Sequence, residues 1–127
     1  MPKKVLMPAT RLPFSQLIEA NGFVFVAGQV GDDPATGALA PGGIRGEVRQ
    51  MLENVGARLR AAGLDFGDVV KATVYLTDMD DFAGYNEVYG EHFDTAGPAR
   101  TTVAVRALPH PLLRVELRAV AWKPAIT

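Results

Sequence analysis

An arginine at the start of one apolar strand and a glutamate inside another are the residues best suited to chemistry. Arg100 opens the apolar part of GPARTTVAV at 97–105, and Glu116 interrupts RVELRAVAW at 114–122. A guanidinium can bind a carboxylate through two parallel hydrogen bonds, and a carboxylate can orient water and accept its proton. Each side chain could instead form a structural salt bridge, Arg100 within the chain or between subunits, and Glu116 with one of the nearby arginines, Arg106, Arg114 or Arg118. The residues alone leave both roles open.

Two further positions could line a site. Asn86 lies about 40° around a predicted helix from Phe82, so we expect its amide to be buried within an aromatic stripe. A buried amide needs hydrogen-bond partners, which could be backbone at a subunit contact or a ligand. Gly28 lies inside a predicted strand, where glycine often marks a bulge or a close backbone approach.

The composition excludes several kinds of site. The 127 residues are 48% hydrophobic and 21% charged, with a net charge of −1. This balance gives no excess of positive charge that would favour binding to nucleic acid or to an anionic membrane. There is no cysteine, and the two histidines are far apart in sequence, so we expect no metal site. No apolar run is long enough for a signal peptide or a membrane span, which predicts a cytoplasmic protein.

Turn signals and hydrophobic periodicity divide the chain into seven elements. Asn21-Gly22 predicts a tight hairpin, and Gly63 predicts the end of a helix. The predicted strands and helices are strands 17–20 and 23–30, helix 44–62, strand 69–77, helix 81–94, and strands 100–106 and 114–122. The order β-β-α-β-α-β-β within a single domain, 1–127, predicts an α+β fold with a mixed sheet and two helices on one face.

The arrangement of the last two strands decides whether the two candidate residues meet. We expect these strands to form a hairpin. Residues 100 and 116 both have even numbers, so they share a face of this hairpin only if the numbers of two directly opposed residues add up to an even number. Strands 23–30 and 100–106 are apolar or small on both faces. Because two helices cover one face only, we expect a second copy of the chain to cover the other.

Several motifs together resemble those of a known family. They are LPFSQLI, VFVAGQV, DPATG, VVKATVYLTDMDDFAGYNEVYGEHF, GPARTTVAV and VELRAVA, in this order from about residue 10 to 122. The chain resembles the RidA/YjgF family of imine deaminases, whose members have also been labelled endoribonuclease L-PSP.

The resemblance implies a chorismate-mutase-like fold, a homotrimer with sites between subunits, and no cofactor. It implies hydrolysis of 2-imino or enamine acids, such as 2-aminoacrylate or 2-iminobutanoate, to 2-keto acids and ammonia. Arg100 matches the arginine that binds the substrate carboxylate. Glu116 matches the glutamate that positions the hydrolytic water, allowing for a one-residue difference in the preceding loop. The pocket positions are Gly28, Asn86 and Thr102.

Two pocket residues depart from the family pattern. Phe14 stands where a tyrosine is familiar, and Ala27 stands where a serine is familiar. Both changes make the expected pocket more apolar, and a bulkier imine substrate is one interpretation. Two rival functions stay open: a trimer that binds small carboxylates without turnover, and, following the older label, a ribonuclease. The net charge and the absence of a catalytic histidine pair argue against the ribonuclease.

Overall fold

One six-stranded sheet carries two helices on one of its faces. The computed structural model describes residues 3–123. Its strands and α-helices are β1 (Lys4–Pro8), β2 (Ser15–Ala20), β3 (Phe23–Gln29), α1 (Gly43–Ala61), β4 (Val69–Leu76), α2 (Phe82–Tyr89), β5 (Ala99–Ala104) and β6 (Val115–Trp122). The strand order is β1-β2-β3-β6-β4-β5. All neighbouring strands are antiparallel except β4 and β5, which are parallel.

Local backbone chemistry explains two of the boundaries. Asn21 and Gly22 adopt φ angles of 57° and 88°, the positive values that a tight type I′ hairpin requires between β2 and β3. Helix α1 ends at Ala61, and Gly63 follows at φ 77° with its N–H bonded to the carbonyl oxygen of Arg60. Both turns were predicted from the sequence, and both are confirmed.

The core lies between the sheet and the helices. Along β6 the buried residues alternate strictly with less buried ones, so one face of this central strand packs against the helices. Helix α1 contributes its apolar stripe to the same layer. Its fully buried members are Val48, Met51, Leu52, Val55 and Leu59.

Three predictions about the elements need correction. Strand β1 was not predicted; it pairs with β2 and makes the order β-β-β-α-β-α-β-β. Helix α2 ends at Tyr89, well short of the predicted end at residue 94. The expected hairpin between the last two strands is wrong, because β4 lies between β5 and β6. The α+β class with both helices on one face is confirmed.

The sheet face opposite the helices, called the open face below, is rich in exposed apolar side chains. Phe23, Phe25, Val103 and Trp122 lie on it, each between 38% and 49% exposed. Such a concentration of large apolar side chains is typical of a surface that binds another protein. Within residues 3–123, no helix is long and apolar enough to cross a membrane.

Candidate active site

Arg100 lies on the edge strand β5, where it faces helix α2. Its Nη1 donates a hydrogen bond of 2.8 Å to Oδ1 of Asn86. The guanidinium carbon lies 4.6 Å from the ring centre of Tyr89 and 5.3 Å from that of Tyr85. Helix α2 therefore supplies both an amide and two aromatic rings to hold the charged end of Arg100.

Among the described residues, no carboxylate forms a salt bridge with Arg100. The salt bridges within residues 3–123 join other pairs, so the alternative of a salt bridge between Arg100 and its own chain is wrong for the described residues. Arg100 and Asn86 line a surface cleft of about 570 Å³. Asn86 is exposed, which corrects the expectation of a buried amide. An unneutralised guanidinium at the wall of an open cleft is able to bind a small anion.

The hydroxyl groups behind Arg100 are neutral. Thr102 lies on the same sheet face as Arg100, and its Oγ1 shares a hydrogen bond of 3.0 Å with the Tyr85 hydroxyl group. Burial raises the pKa of Tyr85, and burial with the neighbouring Tyr85 raises the pKa of Tyr89 to about 12. These phenols therefore stay protonated at neutral pH and cannot act as bases.

Glu116 lies on the open face in a second, larger cavity of about 690 Å³. It makes no salt bridge within residues 3–123, although Lys71 and Arg118 line the same cavity. Burial raises the pKa of its carboxyl group above the ordinary value of 4.5. A half-buried carboxylate with a raised pKa is suited to accepting a proton from water.

Gly28 and Ala27 bring the backbone of β3 against this carboxylate. The pairing of β3 with β6 shifts between Val26 and Gln29, so both residues lie in a bulge, as the glycine in the strand predicted. A Cβ atom built on Gly28 would collide with the carboxylate oxygen of Glu116. Phe14 is 47% exposed in the segment before β2, and its neighbour Ser15 lines the cavity.

The structure divides the predicted site residues into two separate groups. Ala72 on β4 pairs with Arg100 on one side and with Ala119 on the other. Paired residues share a face, so Arg100 and Ala119 both face the helices. Glu116 is three residues from Ala119 on the same strand and therefore faces the opposite way. Within one chain, Arg100 and Glu116 do not meet.

Two aromatic residues of the site were missed as site residues. Tyr85 and Tyr89 were assigned only to the apolar stripe of the second helix. Their proximity to Arg100 depends on the parallel pairing of β5 with β4, which the sequence did not reveal. Among residues 3–123, no group of three or more His, Asp or Glu side chains is placed to hold a metal ion.

Comparison with known proteins assigns the chain to a family. Residues 5–123 match the family described as Endoribonuclease L-PSP. A RutC family protein of Pyrococcus horikoshii is 50% identical over 111 residues, which span 87% of each chain. The 2-iminobutanoate/2-iminopropanoate deaminase of Capra hircus is 45% identical over 120 residues, which span 94% of this chain and 87% of the relative.

A solved structure gives the same fold. The crystal structure of E. coli TdcF with bound serine superposes with a TM-score of 0.83 at 37% identity, covering 95% of this chain and 96% of the other. The chain belongs to the endoribonuclease L-PSP family, which is the RidA/YjgF family that its motifs predict.

Proposed function

We propose that this protein hydrolyses small 2-imino acids to 2-keto acids and ammonia. The observation that carries the proposal is the guanidinium of Arg100, which reaches an open cleft with a neutral amide as its neighbour and no carboxylate within salt-bridge distance in the described chain. Relatives named for imine deamination at about 45% identity support the same substrate class.

Arg100 would bind the carboxylate of the substrate. Two parallel hydrogen bonds from the guanidinium fix the plane of a carboxylate as well as its position. In a 2-imino acid the reacting carbon is bonded directly to the carboxylate carbon, so the same contact fixes the point of attack. Fixing this geometry reduces the entropic part of the barrier.

Glu116 would manage the proton of the attacking water. Water adds to the carbon of the protonated imine, and one of its protons passes to the Glu116 carboxylate, whose pKa is raised by burial. The carbinolamine that forms then receives this proton on nitrogen. The carbon–nitrogen bond breaks, ammonia leaves, and the hydroxyl group gives its proton to the Glu116 carboxylate, so that the carbonyl of the keto acid remains. The reaction consumes one water and needs no oxidant or cofactor.

The site would be completed by a second copy of the chain. One protomer carries two half-sites on different surfaces. The first consists of Arg100, Asn86 and Thr102, and the second consists of Glu116, Ala27 and Gly28. A contact that joins two different surfaces runs head to tail, and it forms a ring when the rotation between neighbouring subunits closes. The exposed apolar side chains of the open face supply the area for such a contact. We propose the homotrimer that the family resemblance implies, with a site at each subunit boundary.

The test compares the wild-type protein with Arg100→Ala while an imino acid is generated in place. A dehydratase that releases 2-aminoacrylate or 2-iminobutanoate supplies the substrate, and keto-acid release is followed in time. We expect the wild type to accelerate release and Arg100→Ala to lose most of the effect. Arg106→Ala is the matched control, because Arg106 is exposed and outside both half-sites. Equal rates for wild type and Arg100→Ala would remove Arg100 from the reaction.

The family description also names RNA cleavage, which is the second candidate. Purified protein incubated with RNA and with imino acid separates the two activities. RNA cleavage that survives Arg100→Ala and copurifies with the protein, without imine hydrolysis, would favour the ribonuclease. Saturable binding of keto acids without turnover of any imino acid would favour a binding protein.

A further inference from the structure

Arg100 is held by an aromatic wall on helix α2, formed by Phe82, Tyr85 and Tyr89. The guanidinium carbon lies 5.9, 5.3 and 4.6 Å from the three ring centres, respectively. All three distances fall within the range in which a cation is attracted by the face of a ring. The shortest is to Tyr89, so this ring makes the closest contact with the charge.

Tyr89 is itself fixed in place. Its ring stacks on Phe93 at 4.5 Å between centres, with 27° between the planes, and meets Tyr85 edge to face at 5.7 Å. The residue is only 7% exposed. A ring supported on two sides has little freedom to move, and it can therefore fix the group that lies on it.

The hydroxyl group of Tyr89 is not what holds Arg100. Its oxygen is buried and has no hydrogen-bond partner among residues 3–123. With a pKa of about 12, it stays neutral and offers no charge to the guanidinium. The interaction therefore belongs to the ring.

We propose that Tyr89 is a positioning residue for Arg100, whose guanidinium its ring holds ready at the cleft before any ligand arrives. A free arginine side chain samples many rotamers, and binding an anion would have to immobilise it. An arginine already fixed between Asn86 and Tyr89 avoids most of that entropic cost. The inference rests on the proposed role of Arg100 as the carboxylate-binding residue.

Three substitutions of Tyr89 separate the ring from its hydroxyl and its volume. Tyr89→Phe keeps the ring, whereas Tyr89→Leu and Tyr89→Met keep apolar volume without it. Phe66→Leu is the matched control, since Phe66 contacts Phe93 but does not contact Arg100. Two measurements are made on each oligomeric protein: the NMR signal of the Arg100 Nε–Hε group without ligand, and the Kd for pyruvate.

We expect the Arg100 signal in wild type, Tyr89→Phe and Phe66→Leu to be shifted by ring currents and to report a rigid group. In Tyr89→Leu and Tyr89→Met the shift and the rigidity should both decrease, because only Phe82, Tyr85 and Asn86 still contact the guanidinium. The Kd for pyruvate should rise about 10-fold in these two variants and stay within about 2-fold in the others. The dispersion of backbone amide signals reports folding, and Tyr89→Met decides the matter if Tyr89→Leu does not fold.

An unchanged Arg100 signal in Tyr89→Leu and Tyr89→Met would overturn the inference, as would a loss in Tyr89→Phe equal to that in Tyr89→Leu. The ligand-free signal also separates this inference from the proposed function. If the wild type hydrolyses no imino acid but the signals follow the expected pattern, the positioning role stands and the deaminase proposal fails. If imine hydrolysis depends on Arg100 and the signals do not change, the reverse holds.

Discussion

Arg100 and Glu116 project from opposite faces of the same sheet, on strands β5 and β6 with β4 between them. Because side chains alternate strictly across a strand, no rotamer change brings the two together within one chain. Any chemistry that uses both residues therefore requires two copies of the protein. This relationship leads to the first prediction.

Two inactive variants should restore activity when they share an oligomer. Arg100→Ala and Glu116→Ala each lack one half-site, but a boundary between an intact Arg100 and an intact Glu116 is complete. Random mixing of the two variants in equal amounts should recover about a quarter of the wild-type rate. Each boundary takes Arg100 from one subunit and Glu116 from the next, and each of these residues is intact in about half of the subunits. Keto-acid release after co-refolding measures the recovery. No recovery in oligomers that mass spectrometry identifies as mixed would contradict a site between subunits.

Arg100→Lys should bind the substrate poorly although it keeps the charge. An ammonium cannot reproduce the planar fork of a guanidinium or its contact with the Tyr89 ring. Loss of one charged hydrogen bond costs about 1.5–3 kcal/mol, so kcat/KM should fall roughly 10- to 150-fold. Steady-state kinetics with in situ imino acid measures the change, and Arg106→Lys should leave the rate near that of wild type.

The rate of imine hydrolysis should fall as the pH is lowered, with a midpoint above 4.5. Burial raises the pKa of Glu116, and only the deprotonated carboxylate can accept a proton from water. A raised pKa moves the acid limb of the profile toward neutral pH. Glu116→Gln should lower the rate and abolish this limb. A limb that persists unchanged in Glu116→Gln belongs to another group.

Gly28→Ala should disturb the chemistry more than the fold. The added Cβ would occupy the space of the Glu116 carboxylate, which is the movable end of a side chain. A displacement of about 1 Å at a catalytic group can cost on the order of 100-fold in rate. We expect a rate loss of this order with little change in Tm. In a Glu116→Ala background the same substitution should have almost no further effect, and a large additional loss would indicate a separate role for Gly28.

Glu47 should be essential for stability and not for chemistry. It is 2% exposed, and its Oε2 accepts hydrogen bonds from the backbone N–H groups of Arg114 and Val115, just before Glu116. Glu47→Leu leaves both donors without an acceptor and should lower the free energy of unfolding by about 1–3 kcal/mol. Glu47→Gln keeps the acceptor oxygen and should cost less. Denaturant unfolding measures both, with the exposed Glu53→Leu on the same helix as control.

The sequence revealed the features that local chemistry determines. Asn21-Gly22 and Gly63 predicted turns because few other residues adopt positive φ, and the structure has both. Arg100 and Glu116 were selected as candidates because a charged side chain in an apolar strand needs a reason. These inferences depend on residues close together in the chain.

Features that depend on distant pairing were not predicted. The connection 105–114 is too long for a tight hairpin, and it lets the chain pass β4 before β6 begins. Sequence parity could not place Arg100 and Glu116 on opposite faces, because the intervening strand comes earlier in the chain. The contact of Arg100 with Tyr89 depends on the same pairing and was invisible for the same reason.

The position of β6 between β3 and β4 also has a consequence for biosynthesis. This strand is translated after all the others in the sheet, yet it joins the two halves, β1-β2-β3 and β4-β5. Until it leaves the ribosome, β3 and β4 each expose an unpaired edge, and unpaired edges are sites of aggregation. Closure of the sheet therefore waits until β6 has been made, and both edges stay open to aggregation until then.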